Sequence, residues 1–229
     1  MTSTPEPLSV LQRIRQTTPR PVEQEQTEEA CELCAEPIPA EHRHLVDLRS
    51  RTLLCACRGC FLLFESEGAG GDHFRSVPDR YLACDGSALS SAQWDSLQIP
   101  VSVAFFFLNS ALGRVTAFYP GPAGATESEL PLETWAEVVG ANPPLATMAP
   151  DVEAFLVRAG PGLDGRTRGA GGHDDGGANA TECYLVPIDA CYELVGHLRL
   201  LWRGFDGGTE ANRKLDEFFA YVRDRAGAR

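Results

Sequence analysis

The sequence predicts an α+β protein in which a small four-cysteine unit precedes an antiparallel-sheet domain that ends in two helices. Three observations lead to this prediction. Two Cys-x-x-Cys pairs lie within the first 60 residues, short runs rich in β-branched and aromatic residues follow across the middle of the chain, and the C-terminal part has helical periodicity. Consecutive strands followed by consecutive helices favour an α+β over an α/β architecture.

Length and charge restrict the possible classes of protein. The chain has 229 residues, with 20 basic and 32 acidic side chains and a formal net charge of −12. This length suits one large domain or two small ones, and it can bury a core without disulfides. The acidic excess disfavours nucleic-acid binding, because that affinity comes mainly from Lys and Arg.

Hydropathy gives an expectation about location. No run approaches the roughly 18 apolar residues that span a bilayer, and the N-terminal residues lack the apolar centre of a signal peptide. We therefore expect a cytoplasmic protein without a membrane partner, whose cysteines are reduced unless they bind metal.

Composition divides the chain into three parts. Residues 1–28 are polar and are predicted to form a flexible tail. Residues 29–66 contain the cysteine-rich unit, and residues 65–72 read as a linker. Residues 75–229 are predicted to form the α+β domain. Within it, residues 160–180 contain eight glycines and are predicted to be a disordered loop.

Local patterns predict the elements in chain order. In the cysteine-rich unit, two short strands are joined by a turn at 49–51, and an apolar run from Phe61 begins a helix. In the second domain, strand patterns alternate with turn signals, and a short helix carries Trp94 and Leu97. The predicted strands cover 44–48, 52–56, 80–84, 100–108, 114–119, 152–157 and 182–188; the predicted longer helices cover 131–139, 189–203 and the segment from 209 onward.

The cysteine spacing is the strongest chemical signal. Cys31 and Cys34 form one Cys-x-x-Cys pair, and 22 residues separate them from a second pair, Cys57 and Cys60. Each such turn directs two thiolates at one point, and two turns complete a tetrahedron around a metal ion. The sequence therefore predicts a zinc site with these four ligands. The order of knuckle, hairpin and helix favours a treble-clef or zinc-ribbon shape.

Three nearby side chains leave the ligand set open. Cys55 lies two residues before Cys57, so both point to the same face of a strand. Cys55 is thus a reserve ligand or a separate reactive thiol. His42 and His44 also share a face. Either they are surface residues of the hairpin, or one of them replaces a cysteine as a metal ligand.

Three other cysteines are expected to be packing residues: Cys84, Cys183 and Cys191.

The four-cysteine site is compatible with three functions. A closed zinc site stabilises its small unit. Thiolates also suit iron, so a rubredoxin-like electron-transfer protein is an alternative. The segment 41–44 suggests an HNH-like hydrolase, which needs a further hydrolytic metal site. The acidic chain disfavours a nuclease, and no catalytic residue is assigned.

Several segments of the chain form a pattern: Cys31-Glu-Leu-Cys34, Glu41-His-Arg-His-Leu-Val-Asp-Leu48, Leu53-Leu-Cys-Ala-Cys57-Arg-Gly-Cys60, Val77-Pro-Asp-Arg-Tyr81, Tyr119-Pro-Gly-Pro-Ala-Gly-Ala-Thr-Glu-Ser128, Tyr184-Leu-Val-Pro-Ile-Asp189 and Trp202-Arg-Gly-Phe205. Together these segments resemble one uncharacterised actinobacterial family, often encoded beside [NiFe]-hydrogenase subunits and maturation proteins. The resemblance covers residues 29–229. It implies a metal role for the two Cys-x-x-Cys pairs, with Cys55 close by, and a hydrogenase subunit or maturation factor as protein partner.

Overall fold

The computed structural model describes residues 29–66, 68–84, 99–129, 143–160, 181–203 and 207–227, with 94–95, 135–136 and 139 between them. The predicted tail at 1–28 and all but the first residue of the predicted loop at 160–180 lie outside the described residues, as do most of the predicted helices around Trp94 and at 131–139. Within the described ranges, no helix has the length and apolar character needed to cross a membrane.

A three-stranded antiparallel sheet and a short helix form the N-terminal cysteine-rich unit. The predicted hairpin is present, and a third strand from beyond the predicted linker pairs with the first, giving the order β2-β1-β3. The helix begins at Arg58, earlier than predicted. The elements are β1 (Arg43–Asp47), β2 (Thr52–Ala56), α1 (Arg58–Leu63) and β3 (Phe74–Ser76), with a 3-10 segment at Ala69–Asp72.

A six-stranded antiparallel sheet forms the second domain. Its order is β4-β9-β8-β5-β6-β7, so the two longest strands lie near one edge and form the predicted hairpin. The sequence pattern missed β7, because this strand at the edge of the described sheet, next to β6, is polar and lacks an apolar run. The strands are β4 (Leu82–Cys84), β5 (Val103–Asn109), β6 (Arg114–Gly121), β7 (Gly124–Glu129), β8 (Glu153–Arg158) and β9 (Glu182–Pro187), with a 3-10 segment at Pro143–Thr147.

The chain then forms two helices, α2 (Ile188–Leu201) and α3 (Gly208–Gly227). Their buried stripes include Leu198 and Phe219, which pack in one core with Leu156 of β8. Phe155, the neighbour of Leu156, belongs to a second core on the opposite face of the sheet. This alternation is the period of two that a strand buried on both faces requires. The structure is therefore α+β, as predicted.

Strand β1 joins the two parts of the molecule. Leu45 is fully buried in a small core with Cys31, Ile38 and Ala56. The next residue, Val46, packs into the large core beside α2 and α3. Because successive side chains point to opposite faces of a strand, β1 has one side on the cysteine-rich unit and the other on the main domain. The cysteine-rich unit is thus held against the helices.

Candidate metal centre

The first Cys-x-x-Cys pair lies on a tight turn before β1. The Cys31 N–H donates to the Glu36 carbonyl, and the Ala35 N–H donates to the Cys31 carbonyl, both at 2.8 Å. Ala35 has a left-handed backbone, with φ of 60°. This reversal places Cys31 in the small core and leaves Cys34 exposed, so the pair forms one half of a site at the edge of the unit.

The second pair lies where β2 passes into α1. Cys57 is the N-cap of this helix, and its Sγ accepts from the Cys60 N–H at 3.4 Å. The Phe61 N–H donates to the Cys57 carbonyl at 2.9 Å. The helix start thus sets the position of this ligand pair.

The two pairs converge. The four Sγ atoms all lie within 4.8 Å of one another, and the Cys34 and Cys57 sulfurs are 3.6 Å apart. In a tetrahedron with metal–sulfur bonds of about 2.3 Å, neighbouring sulfurs are separated by about 3.8 Å. The structure therefore brings together the four cysteines that the sequence predicts as ligands, in an arrangement compatible with a metal site.

Two of the four thiols, Cys31 and Cys60, have pKa values shifted in opposite directions. Burial opposes ionisation of Cys31, but N–H groups of Cys57, Leu33 and Cys34 outweigh it and lower its pKa to about 6. Burial and hydrogen bonds from the neighbouring sulfurs raise the pKa of Cys60 to about 12. The Cys31 thiolate thus forms easily, whereas ionisation of the Cys60 thiol is unfavourable. A divalent cation removes this conflict, because it stabilises all four thiolates at once.

Cys55 lies in a different group. Its Sγ and one ring nitrogen each of His42 and His44 lie within 4.8 Å of one another, whereas the four-cysteine group does not include it. Cys55 faces His44 directly across the β1–β2 pair. Burial raises the Cys55 pKa, and the Glu32 and Glu29 carboxylates add to the rise. His42, His44 and Cys55, which the sequence analysis gives as alternative ligands, therefore lie together in a group of their own.

The three remaining cysteines lie outside both groups. Cys183 and Cys191 are buried in the two cores of the large sheet. Cys84 is half-buried at the end of β4, and burial raises its pKa to about 11. A thiol with a raised pKa in an apolar setting is a weak nucleophile. These positions agree with the expected packing role.

Fold and site together define a class: an α+β protein with a four-cysteine centre at one edge of an N-terminal three-stranded sheet. The chain belongs to a family of unknown function, DUF5947, whose model matches residues 30–226. No curated protein and no solved structure matches the chain. Membership therefore adds no activity to what the geometry indicates.

Proposed function

We propose that the chain is a zinc-binding accessory protein. Cys31, Cys34, Cys57 and Cys60 hold one Zn²⁺, which stabilises the N-terminal unit so that it can contact a protein partner. The observation that carries the proposal is the convergence of the four sulfurs within 4.8 Å. Four thiolates complete the coordination of zinc and leave no open position, which is typical of structural rather than catalytic centres.

The size of the small core supports a structural role for the metal. Its buried members are Cys31, Ile38, Leu45 and Ala56, with a few half-buried apolar side chains packed against them, and Cys31 is itself a proposed ligand. So few apolar side chains cannot offset the conformational entropy of ordering a unit of this length. Metal binding supplies the missing free energy in small domains of this kind.

Exposed apolar side chains support a role in protein contacts. Leu33 lies between the first two ligands, and Leu62 and Leu63 follow the last one; they are 36%, 50% and 68% exposed. Exposed apolar groups beside a rigid centre are typical of interaction surfaces. From the family resemblance, we propose a [NiFe]-hydrogenase subunit or maturation factor as the partner.

Affinity capture from a hydrogenase-producing host, with zinc quantified in each sample, tests this function. Wild-type protein should recover hydrogenase subunits or maturation proteins. Leu62→Ser with Leu63→Ser should reduce the recovery at least about tenfold, equivalent to about 1.4 kcal/mol, with zinc content unchanged. Leu200→Ser is the control, because Leu200 is 74% exposed on α2. Capture without any hydrogenase component, or equal recovery by the double variant, would contradict the proposal.

Iron is the alternative metal for the same four ligands. The exposure of Cys34 favours iron, because an electron-transfer centre exchanges electrons near the protein surface. Absorption spectra with metal analysis separate the two forms. A colourless protein with zinc in this site excludes electron transfer, and a red iron–thiolate chromophore that bleaches on reduction excludes the zinc form.

A further inference from the structure

The histidines of segment 41–44 and Cys55 form a second group of metal-binding side chains. His42 and His44 are two residues apart, so they share a face at the start of β1, and Cys55 of β2 is opposite His44. One ring nitrogen from each histidine and the Cys55 Sγ lie within 4.8 Å of one another. Donors at this spacing can reach one ion.

Hydrogen bonds orient both imidazole rings. His42 Nδ1 lies 2.9 Å from the Pro39 carbonyl, with the Glu29 carboxylate 3.4 Å away. His44 Nδ1 lies 2.9 Å from Asp189 Oδ2 in the first turn of α2. A carbonyl or carboxylate on one ring nitrogen is the arrangement that orients metal-ligating histidines, because it fixes the tautomer and leaves the other nitrogen to coordinate.

The second ring nitrogen of His42, Nε2, is buried beside the other two donors. The His42 side chain is only 8% exposed. Among the residues that the structure describes, its buried Nε2 has no hydrogen-bond partner. A buried polar atom without a partner is destabilising, so natural proteins rarely retain one unless it binds water or an ion.

We propose that His42, His44 and Cys55 form a second metal site, separate from the four-cysteine centre. Two imidazoles and one thiolate suit borderline divalent transition ions, with Zn²⁺ as the expected occupant. Three protein ligands leave the fourth position of a tetrahedron for an exchangeable ligand. His42 and His44 line a cleft of ≈ 1040 Å³ between β1 and the two C-terminal helices, which gives such a ligand access.

Metal counting on the full-length protein tests the second site. Wild type saturated with Zn²⁺ should hold two ions per chain. His42→Ala, His44→Ala and Cys55→Ser should each hold one, while Cys84→Ser and His197→Ala should still hold two. His197 is the matched control, because it lines the same cleft on α2 but belongs to neither cysteine group. Co²⁺ added to wild type that carries one equivalent of Zn²⁺, in the four-cysteine centre, should give ligand-field bands that the three ligand variants lack.

Asp189 provides a test of the positioning network. Its carboxylate does not belong to the donor group, so Asp189→Asn should keep the Co²⁺ bands but weaken Co²⁺ binding about 10- to 100-fold. The same substitution should not change the metal content of the four-cysteine centre. Loss of both ions, or unchanged Co²⁺ affinity, would contradict the role given to Asp189.

Imidazole ¹⁵N spectra of the wild type give a test that needs no variant. Zn²⁺ addition should shift Nε2 of His42 and His44, with Nδ1 of each remaining protonated, and should leave His73 and His197 unshifted. The proposal is wrong if these two histidines do not respond, or if Cys55→Ser lowers the metal count while His42→Ala and His44→Ala do not. The latter result would place Cys55 in the four-cysteine centre. This proposal and the proposed four-cysteine zinc centre can fail separately. If the four-cysteine centre binds no zinc, the second site should still hold one ion, and that ion should depend on His44 and not on Cys34.

Discussion

Ala35, directly after the first ligand pair, has a backbone conformation that is unfavourable for a residue with a side chain. Its φ of 60° costs about 1–2 kcal/mol relative to glycine. Glycine also gains entropy in the unfolded chain, so Ala35→Gly should raise the free energy of unfolding by only about 0.5–1 kcal/mol. Thermal unfolding of the metal-loaded protein measures the change, because each kcal/mol of added stability raises the melting temperature by about 2–4 °C in a chain of this size.

The control for this change is Ala40→Gly in the same unit. Ala40 is exposed and its φ is not positive, so glycine there gives no relief of strain. Its melting temperature should stay the same or fall. If Ala35→Gly lowers the melting temperature as much as Ala40→Gly does, the turn does not strain Ala35.

Single residues also show what the spacing could and could not predict. The four-cysteine group follows from two Cys-x-x-Cys turns, because each turn fixes its own pair locally. The contact between His44 and Asp189 joins residues 145 positions apart, and no local pattern carries that information. The sequence predicts a helix from residue 189 onward, but nothing in it indicates that the Asp189 carboxylate faces His44 from the first turn of that helix.

At the scale of elements, the β1–β2 hairpin shows how one residue changes a site. The predicted strands 44–48 and 52–56 would place His44 opposite Ala56. In the structure, His44 is opposite Cys55, because the turn takes four residues and Arg51 has a φ of 57°. A shift of one residue reverses the face of every side chain. The pairing of Cys55 with histidines was therefore not predictable from strand positions alone.

The packing of β8 against the segment before β4 depends on a buried ion pair. Glu153 is fully buried, and both its oxygens accept from Arg80, at 2.7 and 2.5 Å. Removing the guanidinium leaves a buried charge, so Arg80→Met should cost about 3–5 kcal/mol of unfolding free energy. Urea denaturation measures the loss.

A second substitution separates this explanation from lost packing. Arg80→Met with Glu153→Leu removes both charges and should recover most of the stability. Arg213→Met is the control, because Arg213 and Glu217 form an exposed pair worth about 0.3–0.5 kcal/mol. If the double variant is as unstable as Arg80→Met, the unpaired carboxylate is not the cause.

At the scale of the whole molecule, two cores of different size share β1. Leu45 belongs to the small core, and Val46 to the large core with α2 and α3. A strong zinc chelator should therefore remove amide protection from β2 and α1, while β8 and β9 stay protected. Hydrogen exchange with and without the chelator measures this. Simultaneous loss of protection in both sheets would show that the small unit does not depend separately on metal.

The central claim is that four cysteines hold one structural zinc, and X-ray absorption at the zinc edge tests it most directly. The measurement uses full-length His44→Ala protein as isolated, which removes any second ion. We predict one zinc per chain with four sulfur ligands at about 2.3 Å, lost when Cys57→Ser is added. A chain without bound metal, or a zinc shell dominated by nitrogen and oxygen, would contradict the claim.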